Sequence, residues 1–229
     1  MNNKPIVVVD WDNTVINTSK TLINLHNKLS KNKIKYIEEH DWKFRPMINS
    51  DEELKELFTL FDNKHFYDSD VVVPIKDAIK TIKQLSEHYK IIICSKHMRS
   101  RRKLTKKYIK QIFKGYDVSV KFVNSFNEKS NLFKHKRVLA VVDDKEECFK
   151  GFREETLKVL FGDYQWNREY DKEHSYKTNN WKITKTTIIL YDWIYIVYKN
   201  KRGSTMWIWS NPKEFYKLFL KNGISKMKL

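Results

Sequence analysis

Five short runs of apolar, largely β-branched residues constrain this chain more than any other feature. They lie at residues 5–10 (PIVVVD), 90–95 (KIIICS), 118–124 (VSVKFVN), 138–143 (VLAVVD) and 157–161 (LKVLF). As a set they are continuous rather than alternating in apolar character, which points to strands covered on both faces, as in a parallel sheet. Helical patterns lie between them. Ile75, Ala78, Ile79, Ile82 and Leu85 are at helical spacing, and so are Leu104, Tyr108, Ile109 and Ile112. Strands alternating with helices predict an α/β fold, a Rossmann-like doubly wound parallel sheet.

One stretch breaks the alternation. Residues 17–73 contain helical segments near 20–29 and 52–61 and no convincing strand. A small helical cap inserted after the first strand accounts for this better than a long loop does. The catalytic core then comprises residues 1–16 and 74–185. From residue 186 the composition shifts. TTIILYDWIYIVYK and STMWIWS read as two aromatic strands joined at NKRG, a β-hairpin. A helix follows from Asn211, with Pro212 in its first turn and Gly223 at its end. Trp193, Trp207 and Trp209 read as a hairpin face or a dimer contact, with base stacking as the alternative.

At 229 residues and 41% hydrophobic content, the chain can bury a core despite its charge. No apolar run reaches membrane-spanning length, and the N-terminus reads as lacking a signal peptide. Two cysteines, Cys94 and Cys148, make no disulfide framework, so a reducing, cytoplasmic setting is expected. The net charge of +17 invites a nucleic-acid reading, but 37 of the 45 basic residues are lysines scattered along the chain. Nucleic acid is therefore an alternative partner, and a phosphorylated small molecule the expected one. A homodimer stays open.

Chemistry concentrates at the carboxyl ends of the expected strands, where open α/β sheets bind ligands. Asp10 and Asp12 sit in DWDNTV after the first strand, Ser95 closes the second, Lys129 follows the third, and Asp143–Asp144 close the fourth. Two carboxylates two residues apart can act on one substrate atom. Carboxylates converging from separate strands call for a hard cation, and magnesium suits them. Ser95 and Lys129 can hold phosphate oxygens, although Lys134 competes with Lys129 for that place. Ser95 could instead cap a helix. His97 reads as a surface histidine.

This ordered set resembles the haloacid dehalogenase superfamily of phosphohydrolases, with DWDNTV matching its first motif except that Asn13 stands where glycine is commoner. The resemblance implies Asp10 as nucleophile forming an aspartyl-phosphate and Asp12 as general acid and base. It implies a magnesium ion on Asp10, the Asp12 carbonyl and Asp144, with Asp143 ordering the metal shell. Residues 65–95 and 162–181 look most like the 5′(3′)-deoxyribonucleotidases. That likeness implies hydrolysis of nucleoside 5′-monophosphates, with Phe44 and Phe66 sandwiching the base and Lys96 near the phosphate. Two positions depart from the family: Lys96 replaces its second serine, and Asn127 replaces the arginine two residues before Lys129. Release of phosphate from a polynucleotide end is the alternative reaction, and nucleic-acid binding without hydrolysis a second.

Overall fold

The computed structural model describes residues 4–41, 43–170 and 175–200. Its elements run β1 (Ile6–Val9), α1 (Thr18–Leu29), α2 (Asp51–Thr59), α3 (Ala78–Ser86), β2 (Lys90–Lys96), α4 (Arg99–Ile112), β3 (Val118–Val123), α5 (Glu128–Asn131), β4 (Val138–Asp143), β5 (Leu157–Phe161), β6 (Tyr176–Thr178) and α6 (Trp181–Asn200). The six strands form one sheet in the order β3-β2-β1-β4-β5-β6, and every pairing is parallel. This is a Rossmann-like α/β sheet. Its strand order reverses between β1 and β4, which opens a crevice at their carboxyl ends.

The continuous apolar runs have the expected cause. Every residue of β1 and β4 is buried, because helices cover both faces of the sheet. Between β1 and α3 the chain forms α1, α2 and a 3₁₀ turn at Leu60–Asp62, with no strand among the described residues. Both helices start where local chemistry directs. Asn17 accepts from Lys20 N at the start of α1. Ser50 accepts from Glu53 N at the start of α2, whose first turn carries Asp51, Glu52 and Glu53 against the helix dipole.

The expected hairpin is not there. Residues 186–199, read as its first strand, belong to helix α6. β-branched and aromatic residues favour strands only weakly, and packing overrides that preference. Trp181, Thr184, Ile188 and Tyr191 are buried at spacings of three and four, forming one helical stripe against α3 and the sheet. The threonines adapt by donating backward along the helix, Thr184 Oγ1 to the Asn180 carbonyl and Thr186 Oγ1 to that of Lys182. Trp193 is 54% exposed on this helix. The second expected strand, Trp207 and Trp209, and the helix from Asn211 lie outside the described residues.

Candidate active site

The crevice gathers its residues from four strand ends. Asp10 leaves β1 with its amide donating to the Val142 carbonyl of β4, which ties the two central strands together just below the site. Its carboxylate is 5% exposed. Lys129, in the short helix α5 after β3, is 1% exposed and donates from Nζ to Asp10 Oδ1 and to Asp143 Oδ2, each at 2.6 Å. Lys134, by contrast, is exposed. Ser95, at the end of β2, is buried beside them.

Electrostatics makes the cluster unusual for a protein interior. Asp10, Asp143 and Asp144 can each bring one carboxylate oxygen within 4.8 Å of the others. Burial pushes Asp10 up to about 7; the Lys129 ammonium opposes this, while Asp143 and Asp12 add to it. Burial likewise raises Asp144 well above the usual carboxylate range, with Asp10 and Asp143 adding to the effect. Burial alone would lower Lys129, but the Asp10 and Asp143 carboxylates outweigh that and hold it well above the usual lysine range. Three buried carboxyls against one ammonium can all ionise only if a further cation joins them. An oxygen-only donor set of this kind fits a hard divalent cation such as magnesium.

The clustered acids are held from behind by the segment after β5. Trp166 Nε1 donates to Asp144 Oδ2 at 3.0 Å, and the Asn167 side chain donates to the Asp144 and Phe161 carbonyls. Tyr164 stacks on Trp166 with ring centroids 4.6 Å apart and donates from Oη to the Asn13 carbonyl. Trp181 Nε1 donates to the Thr14 carbonyl. Asn13 itself has φ of 52°, a left-handed conformation that asparagine tolerates, and its side chain receives the first amides of α1. The turn carrying both aspartates is thus fixed from three directions.

Asp12 has a separate set of partners. Thr18 Oγ1 at 2.6 Å and Arg101 Nη2 at 3.0 Å donate to Oδ1, while His97 Nε2 lies 2.6 Å and Ser95 Oγ 3.5 Å from Oδ2. Burial alone would raise this carboxyl. Arg101 and His97, with hydrogen bonds from His97 and Thr18, overcome that and hold it well below the usual range. His97 is 4% exposed, so the expectation of a surface histidine is corrected. Its ring stacks on Phe122, and Nδ1 lies 3.2 Å from Thr105 Oγ1. Thr105 meets Tyr67 Oη at 3.0 Å, which accepts from Trp11 Nε1. An indole can only donate and an ionised carboxylate only accept, so one direction satisfies the whole chain. Trp11 donates to Tyr67, Tyr67 to Thr105, Thr105 to Nδ1, and a neutral His97 donates from Nε2 to Asp12.

Phe44 and Phe66 do not open onto the crevice. Phe44 is 2% and Phe66 0% exposed, and both belong to the main hydrophobic core. Phe44 packs on His40 and Phe58, and Phe66 on Phe61, Tyr67 and the Arg101 guanidinium. The expected base sandwich is therefore corrected, because both rings are packed into the main hydrophobic core. Lys96 is exposed at the crevice edge with its Nζ 4.4 Å from the centre of the Phe126 ring.

Sequence reasoning missed His97, Arg101, Thr18 and Trp166. Arg101 carried a readable signal: it interrupts the apolar stripe of α4 on its buried face, between His97 and Thr105.

No protein-family model matches the chain, and no curated protein matches it. Solved structures do. A haloacid dehalogenase-like hydrolase from Burkholderia xenovorans superposes with a TM-score of 0.52 at 11% identity, over 80% of this chain and 98% of that one. A haloacid dehalogenase-like family hydrolase from Xanthomonas campestris gives 0.48 at 7% identity, over 83% and 96%. A subfamily IA hydrolase of the same superfamily from Geobacter sulfurreducens gives 0.48 at 9%, over 82% and 99%. At these identities the likeness is one of fold, and the Burkholderia structure carries it.

Proposed function

We propose that the chain is a magnesium-dependent phosphomonoesterase with Asp10 as its nucleophile, acting on a nucleotide-type substrate. One observation carries the reading: the Asp10 carboxylate is buried at the sheet's switch point, bonded to Lys129 and flanked by Asp143, Asp144 and Asp12. A structural ion pair needs neither a second buried acid pair nor a separately anchored Asp12.

In this reading an Asp10 oxygen attacks phosphorus, the bond to the leaving oxygen breaks, and an aspartyl-phosphate forms. Lys129 and the Ser95 hydroxyl hold the phosphoryl oxygens. Asp10, Asp143, Asp144 and the Asp12 carbonyl would hold magnesium, which neutralises charge on the transferring group. Water then attacks the intermediate and passes a proton to Asp12. Arg101 and His97 keep Asp12 ionised, the form that accepts it. The leaving oxygen needs a proton in the first half-reaction, and it is the one that Asp12 took from water in the preceding turnover. The nucleotide part of the reading rests on the resemblance of residues 65–95 and 162–181 to deoxyribonucleotidases.

The test is phosphate release from p-nitrophenyl phosphate and from nucleoside monophosphates by purified protein. Release is expected with magnesium, absent with EDTA, and abolished in Asp10→Asn, whose amide keeps the shape but cannot form the acyl-phosphate. Undiminished release in chelator or by Asp10→Asn would remove this mechanism.

A further inference from the structure

Helix α4 differs from the rest of the surface in its charge. Residues 99–114 carry eight basic side chains and no acidic one. Arg101 turns inward to Asp12, with its Nε buried and unpartnered, and Arg102 donates to the His97 and Val123 carbonyls. Arg99, Lys103, Lys106, Lys107 and Lys110 are all exposed. At 3.6 residues per turn these five fall within an arc of about 100°, forming one basic ridge about 16 Å long. None has an acidic partner among the described residues. Some lysines elsewhere do: Lys28 pairs with Asp68 and Asp70, Lys177 with Asp163, Lys4 with Asp117 and Lys182 with Asp77.

Its position is equally specific. β2 ends at Ser95 and Lys96 in the crevice, and α4 begins three residues later and runs back along the sheet edge against β3. The ridge thus starts at the mouth of the site and leads away from it. At the mouth, Lys96 and Lys145 both place Nζ over the Phe126 ring, at 4.4 and 4.7 Å from its centre. A mononucleotide has one phosphate, and the crevice already supplies its partners. Cations at the mouth and along α4 need further negative charges at regular intervals.

We propose that the substrate is the phosphorylated end of a single-stranded nucleic acid, whose backbone lies along the exposed face of α4. The terminal phosphate enters the crevice past Lys96 and Lys145, and the following phosphates meet Arg99, Lys103, Lys106 and Lys110. The proposal rests on the phosphomonoesterase reading and names its substrate class.

The experiment compares a 5′-phosphorylated oligonucleotide, a 3′-phosphorylated oligonucleotide, a nucleoside monophosphate and p-nitrophenyl phosphate. The proteins are the wild type and the triple variant Lys103→Gln/Lys106→Gln/Lys110→Gln, which keeps helix propensity. Four phosphate contacts on a single strand predict that kcat/KM for one of the oligonucleotides falls about 50-fold between roughly 50 and 200 mM salt. In the variant that fall should shrink to roughly threefold, while p-nitrophenyl phosphate is hydrolysed as by the wild type. Equal hydrolysis of oligonucleotide and mononucleotide at low salt would overturn the proposal, as would an unchanged salt response in the variant. Fluorescence anisotropy with the same oligonucleotides reads docking apart from turnover. An inert wild type that binds them through the ridge would sink the phosphatase reading and leave the docking face standing. Binding to phosphatidylserine vesicles but not to oligonucleotides would assign the ridge to a membrane surface and overturn the proposal.

Discussion

Two residues apart in sequence, Asp10 and Asp12 live in opposite electrostatic surroundings. Burial and neighbouring acids push Asp10 up to about 7, whereas Arg101 and His97 hold Asp12 down. Such a split between paired carboxylates is how one site assigns different work to similar groups. In the proposed reaction His97 acts through Asp12, as a positioning residue. His97→Ala should lower kcat by roughly 10- to 100-fold with little change in KM, the usual cost of losing an orienting partner. His97→Gln, which can still present an N–H, should recover part of that loss. Equal losses in kcat and KM, or no rescue, would make His97 a packing residue. Asp12 and Asp10 were legible from their place after a strand, but His97 was not. Its partner Asp12 lies 85 residues away in the chain, and only the pairing of β1 with β2 brings the two together.

Among the elements, the parallel strands were readable because burial on both faces leaves uninterrupted apolar runs. Helix α6 was not, because its threonines and aromatics favour strands locally while its burial repeats every three to four residues. Trp181 shows why the helix matters to the site: it fills space beside Phe161 and donates to the Thr14 carbonyl in the aspartate-bearing turn. Trp181→Ala should cost about 3–5 kcal/mol of stability, read by denaturant unfolding. Phe44→Ala should cost a similar amount, since its ring lies in the main core. Were Phe44 a base-stacking residue, the variant would instead keep its stability and lose kcat/KM selectively on nucleotides.

Over the whole molecule, charge is arranged in two opposite concentrations. The crevice gathers buried carboxylates, and the surface leading to it along α4 is basic. Each suits one partner of a phosphoryl-transfer reaction: the acids a divalent cation, the bases an anionic substrate drawn in by the field. The bulk charge of +17 and the run of eight basic residues at 99–114 could both be counted from sequence, but not the place of that run beside the crevice. No helix among the described residues is long and apolar enough to cross a membrane. The central claim is that Asp10 becomes phosphorylated. It is tested most directly by acid-quenching the protein during turnover of a phosphomonoester with magnesium and locating the adduct by peptide mass spectrometry. A phosphate on Asp10, missing when magnesium is withheld and in Asp10→Asn, is the predicted result. Steady turnover with no adduct on Asp10, or an adduct on another side chain, would contradict the account.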